Sequence, residues 1–327
     1  MRDVARRAGV SQPLVSLVIA ENPTTRVADA TRERILQAAR ELGYRPNVVA
    51  RALVRGRSFA IGVIIPDLRN PFFADVVIGA ERVAGDRAYA VLFCDAMEGS
   101  VERHIEALRA RQIDGIIIDA MGAASLADGA LTDLNVVLID EPSAALHGVA
   151  SDAEAAGRLA AEHLLGLGHR HFGFLGPASD VWAFRMRERG FVQALRRAGL
   201  TLASSDLRRA PPTVEGGRAA MKPLLRRSPA PTALFCANDL MAIGALKACA
   251  DAGVSVPAAM SIVGCDDIEP ARLLTPELTT VAVPARELGA RAARLLLQLL
   301  DGLPVRPAKV LPVQLMARGT SGPAPDA

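Results

Sequence analysis

The chain has 327 residues, half of them hydrophobic, and a formal net charge of +3. That length is sufficient for two or three domains with a large core, while no uncharged run reaches the ~18 residues needed to cross a bilayer. The N-terminus is charged from Arg2 and lacks the apolar segment of a signal peptide, so we expect a cytoplasmic protein with no membrane partner. Four scattered cysteines without a CxxC pair favour buried, reduced thiols.

The charge is unevenly distributed along the chain. Residues 1–58 contain eleven Arg and five Asp or Glu, a balance of +6, so the other residues carry −3 of the total of +3. A basic segment joined to a mildly acidic remainder is typical of a module that binds phosphate backbones, attached to a domain that does not. The alternative is a solvated basic surface without a partner.

The first nineteen residues predict two short helices. Asp3–Ala8 can form the first, Gly9 ends it, and Ser11 can cap a second helix over Gln12–Ile19 by accepting a hydrogen bond from its first turn. A third amphipathic helix is predicted over Thr31–Leu42. Two short helices joined by a turn containing Gly describe a helix-turn-helix, whose second helix lies in the major groove of DNA.

Seven apolar runs in the rest of the chain predict buried strands. They are Phe59–Pro66, Ala90–Cys94, Gly115–Asp119, Val136–Asp140, Phe172–Gly176, Ala233–Ala237 and Ser261–Asp266. Helical stretches separate these runs, and the alternation predicts parallel α/β sheets covered on both faces. Ligands of such sheets bind beyond the carboxyl ends of the strands.

Polar and aromatic side chains follow these predicted strands. They occur at Asp67 to Phe73, Asp140, Ala178 to Arg187, Asn238-Asp239 and Asp266-Asp267. Such a set suits a polyhydroxylated or carboxylated small molecule, because polar groups orient it and flat side chains stack on its ring. Asn238 and Asp239 can equally cap the helix that follows, and Asp267 suits support of its own loop.

The sequence gives no indication of an enzyme. There is no GxGxxG after the first strand, no Walker loop, and no His or Cys set with the spacing of metal ligands. We therefore expect no catalytic residues, no metal and no cofactor.

Several motifs resemble the LacI/GalR (lac repressor) family of bacterial transcription regulators. They are Asp3-Val4-Ala5, Ala8-Gly9-Val10-Ser11, Val15-Ser16, Thr31-Arg32 and Leu42-Gly43-Tyr44-Arg45-Pro46-Asn47. The resemblance extends over nearly the whole chain. It implies a multidomain protein with an all-α helix-turn-helix head at 1–45, a hinge at 46–58, and a two-lobed α/β domain at 59–327 that resembles periplasmic sugar-binding proteins.

The resemblance also implies which residues bind DNA. In the second helix they are Ser11, Gln12, Pro13, Ser16 and Leu17, and in the hinge they are Asn47, Ala50, Arg51 and Leu53. The amide of Gln12 can hydrogen-bond an adenine edge. Leu17 stands where the family usually has Arg, so it can make only apolar contact, for example with a thymine methyl. Packing within the head is the alternative for Leu17 and for Leu14.

In this family the hinge becomes helical only on DNA, where two copies pair in the minor groove and insert a leucine between bases. The matching leucine here is Leu53. A plain flexible linker is the alternative. Ala28 stands where the family often has a capping Ser, so we expect Asp29 to cap the third helix.

For the two-lobed domain, the resemblance implies an effector site made by strand-end residues. They are Asn70, Phe72, Asp140, Trp182, Arg187, Asn238 and Asp266. Trp182, the only Trp, is expected in the loop after Gly176-Pro177 as a stacking residue. The chain would cross between lobes near 150, near 280 and again near the C-terminus, and the lobes would close around the ligand by hinge motion.

The resulting expectation is a homodimeric, effector-controlled transcription factor that acts as a repressor on a pseudo-palindromic double-stranded operator. Its effector would be a sugar or sugar derivative. A dimer is needed because one recognition helix reads only a half-site, and Phe73–Arg87 and Leu274–Val283 are expected to contribute to its interface. The alternative is a solute-binding protein of the periplasmic sugar-binding type, which would not need residues 1–58.

Overall fold

The structure is a computed structural model that describes residues 1–19, 26–44, 56–96, 100–119, 126, 131, 133–141, 147–179, 181–305 and 310–325. Its contacts divide the chain into two units, Met1–Ser58 and Phe59–Ala327. The predicted hinge contacts Asn47, Ala50, Arg51 and Leu53 lie outside the described residues. Within the described ranges, no helix combines the length and the apolar character that crossing a membrane requires.

The described residues of the N-terminal unit contain three helices: α1 (Arg2–Ala8), α2 (Gln12–Ile19) and α3 (Asp29–Glu41). Gly9 ends α1 in the left-handed conformation, with φ of 64°. Val4, Val15 and Ile35 bring the three helices together in a buried core. The expectation that Asp29 caps α3 is wrong, because Asp29 is the first helical residue and Ala28 holds the cap position without a side-chain bond. The Asp29 carboxylate instead lies in the first turn, where it complements the helix dipole.

The first lobe of the second unit is built on a five-stranded parallel sheet with the order β2-β1-β3-β4-β5. Its strands are β1 (Ala60–Ile65), β2 (Ala90–Asp95), β3 (Gly115–Asp119), β4 (Val136–Ile139) and β5 (His147–Val149), and the helices between them that the structure describes are α4 (Pro71–Gly85) and α5 (Val101–Ala110). The continuous apolar runs of β1, β3 and β4 are buried, as expected for strands covered on both faces.

The second lobe is built on a six-stranded sheet with the order β11-β10-β9-β8-β6-β7, parallel except for β11. Its strands are β6 (Phe172–Gly176), β7 (Leu207–Arg209), β8 (Ala233–Cys236), β9 (Ser261–Asp266), β10 (Thr279–Ala282) and β11 (Gln314–Met316), and its helices are α6 (Ala153–Gly166), α7 (Trp182–Arg197), α8 (Val214–Leu225) and α9 (Asp239–Asp251). Phe174, Phe191 and Phe235 form a buried aromatic cluster, with Phe191 and Phe235 rings 5.2 Å apart. The predicted fold class is confirmed.

The chain passes between the lobes three times. It leaves the first lobe after β5, returns after β10 through α10 (Ala285–Leu300), which packs on α4, and reaches β11 through a final segment. The first and last of these segments touch, because Ser151 and Leu311 form a parallel bridge and the Asp152 N–H donates to the Leu311 carbonyl at 2.8 Å. Two paired connecting segments of this kind are suited to act as a hinge.

Candidate functional site

A cavity of about 170 Å³ lies between the two lobes, at the carboxyl ends of their strands. Both lobes contribute to its walls. Six of the seven predicted effector residues line it together: Asn70, Phe72, Asp140, Arg187, Asn238 and Asp266. The position agrees with the general rule for ligand sites of open parallel sheets.

Two of the lining carboxylates stand on strained backbone. Asp140 directly follows β4 with φ of 59°, and Asp266 ends β9 with φ of 130°. Residues with a β-carbon rarely adopt such angles, which glycine accepts freely. The presence of Asp rather than Gly at both strand ends is explained if these side chains contact a ligand.

Arg187 is the central cation of the cavity. It projects from α7 with only 3% of its surface exposed. Its Nη1 donates to the carbonyl of Ala237 at 2.6 Å and lies 3.1 Å from Oδ1 of Asp266. The guanidinium also stands 5.5 Å from the ring centre of Phe184. These contacts fix the orientation of the guanidinium plane in the cavity wall.

Burial dominates the electrostatics of this wall. It raises the pKa of Asp266 to about 8, against the opposing influence of Arg187, and it also raises the pKa of Asp140 above the ordinary range of a carboxyl. Burial alone would lower the pKa of Arg187, but the acidic groups around it outweigh burial and the pKa is raised. Arg187 is therefore charged at neutral pH, while the carboxyls hold protons more readily than exposed ones.

The two asparagines on the wall also cap helices. Asn70 Oδ1 accepts from the N–H of Phe72 at the start of α4, and Asn238 Oδ1 accepts from the N–H of Met241 at the start of α9. The Asn238 amide nitrogen donates to the carbonyl of Pro212 at 3.1 Å. The capping interpretation of Asn238 is thus correct, and the residue still lines the cavity. Asp239 is structural, since its carboxylate accepts from Thr280 Oγ1 at 2.5 Å.

Trp182 does not line the cavity. It is the first residue of α7, so the expected loop position is wrong. Trp182 packs beside Val181 and Ala183, which do line the cavity, and the aromatic residue that α7 contributes to the wall is Phe184. Asp119, a buried lining residue at the end of β3, was not among the predicted effector residues. It could have been predicted from its position at the end of the apolar run Gly115–Asp119.

The helix-turn-helix has one solvent-exposed face along α2. Ser11, Gln12, Pro13, Ser16 and Leu17 are all exposed along α2, whereas Val15 and Val18 are buried against the other helices. Ser11 Oγ accepts from the N–H of Leu14 at 3.4 Å, as predicted for a cap. Leu14 is partly buried against the head core, while Leu17 is 40% exposed. Packing therefore accounts for Leu14 but not for Leu17.

A helix-turn-helix with a free recognition face, joined to a two-lobed α/β domain with a cavity between its lobes, defines a DNA-binding regulator with a ligand-binding domain. Comparison with known proteins agrees. Residues 1–47 match the model of bacterial regulatory proteins of the lacI family, and residues 161–321 match a periplasmic binding protein-like domain.

The transcriptional repressor CytR of Escherichia coli K12 is 34% identical over 334 aligned positions, covering 99% of this chain and 97% of CytR. A lac repressor dimer bound to operator and the anti-inducer ONPF superposes with a TM-score of 0.85 at 32% identity, covering 98% of both chains. A LacI-family regulator from Enterococcus faecium with bound ribose gives a TM-score of 0.73 at 30% identity, covering 81% of this chain and 99% of the other. The chain belongs to the lacI family of bacterial transcription regulators, and it is not an enzyme.

Proposed function

We propose that the chain is a transcriptional repressor whose affinity for its operator is set by a small molecule bound between the two lobes. The cavity carries this proposal, because Asp140 comes from one lobe and Arg187 and Asp266 from the other. A ligand that contacts both walls favours one lobe arrangement, and only such differential binding can shift an equilibrium. The relatives CytR and lac repressor are named as repressors.

The effector is a carbohydrate or a sugar derivative. Hydroxyl groups can hydrogen-bond to the carboxyl groups of Asp140 and Asp266 and accept from Arg187, while Phe72 and Phe184 offer flat apolar surface to a ring. The ribose bound to the Enterococcus faecium regulator is consistent with this class. A solute-binding protein without regulatory role would share the cavity, but the family match of residues 1–47 favours the regulator.

The active form is a homodimer on a pseudo-palindromic duplex. A single recognition helix reads one half-site, and the matched lac repressor binds its operator as a dimer. Two exposed apolar side chains on the first lobe, Ile78 and Phe93, and Leu273 on the second are suited to an interface. Ile78 lies within the segment predicted to pair, whereas half of Leu274–Val283, residues 278–281 and 283, is buried in its own lobe.

The hinge contacts remain proposals drawn from the sequence. Asn47, Ala50, Arg51 and Leu53 would fold on DNA and enter the minor groove, so that separating two hinges removes affinity. A cytoplasmic location follows from the same role, because the operator is there.

Selection of duplexes from a random pool by the full-length protein tests the proposal. We expect enrichment of one pseudo-palindromic sequence with its two half-sites about one helical turn apart. Binding should also weaken steeply with salt, since the basic head displaces counterions from the phosphates. A protein that enriches no sequence, and binds all duplexes alike, would overturn the proposal.

A further inference from the structure

Ser151 connects the wall of the cavity to the hinge. It is fully buried and lies two residues after β5, on the first segment that crosses between the lobes. Its Oγ donates to Oδ1 of Asp140 at 3.3 Å, and its backbone N–H donates to the same carboxylate. The cavity carboxylate of Asp140 is therefore bound by two donors from one residue of the hinge.

The pairing of the two hinge segments explains why the Ser151 N–H can reach Asp140. In the parallel bridge between Ser151 and Leu311, the Leu311 N–H donates to the Ala150 carbonyl at 2.9 Å and the Asp152 N–H donates to the Leu311 carbonyl at 2.8 Å. This pattern uses the peptide groups on either side of Ser151, so its own N–H points away from Leu311. That N–H binds the carboxylate instead.

Ser151 is also fixed to the second lobe. Its carbonyl accepts from the N–H of Ala153 at 2.8 Å, and the next residue, Asp152, caps α6 by accepting from the N–H of Ala155 at 2.9 Å. A displacement of Ser151 is thus passed to the start of α6. Because α6 packs in backbone contact with α7, the same displacement reaches the helix that carries Arg187.

A ligand in the cavity would act on the carboxylate of Asp140 rather than on its backbone. The Asp140 N–H donates to the Val149 carbonyl at 2.8 Å, which continues the pairing of β4 with β5. The main chain of Asp140 is thus held in the sheet of the first lobe. A ligand group that binds the carboxylate changes the acceptor that Ser151 contacts, one residue before the cap of α6.

The same contact opposes the electrostatic cost of burying Asp140. Burial raises the pKa of this carboxyl, while Arg187 and the two donors of Ser151 work against the rise. Removal of the Ser151 hydroxyl would therefore let Asp140 hold its proton to higher pH.

We propose that Ser151 is a positioning residue that transmits occupancy of the cavity to the hinge, by binding the carboxylate of Asp140 from the first crossing segment. The proposal rests on the proposed function and adds a route for its control. A ligand that reorients the carboxylate, or changes its charge, alters both Ser151 bonds. The paired hinge segments respond, and one lobe arrangement is favoured over the other.

A double-mutant cycle followed over pH tests the contact. Wild type is compared with Asp140→Asn, and Ser151→Ala with Ser151→Ala/Asp140→Asn, by urea unfolding of the full-length protein between about pH 5 and pH 9. Each difference isolates the Asp140 carboxyl, whose contribution is present at low pH and lost as the pH rises through the folded pKa. In the Ser151→Ala pair this loss should shift to higher pH, because a donor to the charged form is gone.

Ser261→Ala is the matched control. Ser261 is also fully buried, its hydroxyl bonds to His169 and Gly322, and it begins β9 at the end opposite the cavity. Loss of this hydroxyl should lower the free energy of unfolding, yet the Asp140 difference should keep its wild-type pH profile. An equal shift in the Ser261→Ala background, or no shift in the Ser151→Ala pair, would overturn the proposal.

Amide hydrogen exchange on the full-length protein tests the transmission to the hinge. The N–H groups of Asp152 and Leu311 close the bridge, and their exchange is measured relative to amides of β1, which corrects for global stability. Ser151→Ala should speed it about fivefold or more, the usual effect of losing one hydrogen bond. Asp140→Asn should also speed it, since Asn offers Ser151 a neutral acceptor in place of a charged one. Ser261→Ala should leave it unchanged.

Unchanged exchange at the bridge in Asp140→Asn would contradict the proposal, because a change in the cavity wall would then not reach the hinge. Neither test needs a ligand or DNA. Both can therefore fail while duplex selection succeeds, and the proposed function can fail while both succeed.

Discussion

Gly157 of α6 packs directly against the backbone of Arg187 in α7. A β-carbon on Gly157 would lie 1.8 Å from the carbonyl oxygen of Arg187, and one on Gly190 would lie 2.0 Å from the carbonyl of Glu154. The two helices therefore cross in backbone contact at a pair of glycines. Because α6 starts right after the first crossing between lobes, this contact positions the cavity cation relative to the hinge.

Substituting Gly157 by Ala should displace α7 and Arg187 with it. We expect a loss of about 2 kcal/mol or more in the free energy of unfolding, as for other overpacked sites, together with weaker ligand binding. Urea unfolding and ligand titration measure both effects. The matched control is Gly166→Ala on the same helix, where a β-carbon meets nothing within 4 Å. That control should be neutral or stabilise by up to about 1 kcal/mol; equal behaviour of the two variants would contradict the positioning role.

The raised pKa of Asp266 should appear in the pH dependence of stability. Because the folded pKa of about 8 lies above the ordinary value, the folded state binds the extra proton between about pH 4 and pH 8. Its contribution is present at low pH and is lost as the pH rises through 8. Relative to Asp266→Asn, wild type should lose up to about 1.4 kcal/mol of unfolding free energy per pH unit between pH 6 and 8.

Urea unfolding at pH 6, 7 and 8 makes this comparison. His163 and His169 have lowered pKa values through burial, and their opposite contribution cancels because both proteins share it. Parallel stability profiles for wild type and Asp266→Asn would show that Asp266 titrates at the same pH folded and unfolded.

Leu14 and Leu17 should respond differently to truncation. Leu14→Ala removes packing from the head core and should cost about 1–2 kcal/mol of unfolding free energy, less than a fully buried leucine. Leu17→Ala changes an exposed side chain and should alter stability by less than about 0.5 kcal/mol. Its effect should appear in DNA binding, as a reduced preference for thymine at one operator position. An unchanged base preference would contradict the assignment of Leu17 to a thymine methyl.

Gln12 should determine an adenine in each half-site. Gln12→Ala should weaken binding to the selected duplex by about 1–3 kcal/mol and relax the preference at a single position. Fluorescence anisotropy with duplexes substituted at each position measures the change. Gln37→Ala is the control, since Gln37 is an exposed amide on α3 that bonds to Glu41. A uniform loss over all sequences would mean that Gln12 contacts the backbone instead.

The residues at the strand ends show which parts of the cavity could be predicted from the sequence. Asp140 and Asp266 were predictable, because apolar runs locate strands and the ends of parallel strands meet at one edge. Asp119 ends an equivalent run and was open to the same argument. The sequence could not show that Phe184 rather than Trp182 lines the cavity. Successive helical residues point about 100° apart, and no side-chain cap marks the start of α7 at Trp182. The meeting of Asp140 with Arg187 and Asp266 in one cavity also needed the structure, because Asp140 and Asp266 lie over 100 positions apart in the sequence.

The most direct test measures the affinity of the full-length protein for its selected operator with and without a saturating sugar or sugar derivative. We expect a change in Kd of about fivefold or more, in the range of measured allosteric couplings, and loss of this change in Asp266→Asn while affinity without ligand is retained. The same Kd at zero and saturating ligand, with ligand binding shown independently by thermal unfolding, would contradict control of DNA binding through this cavity.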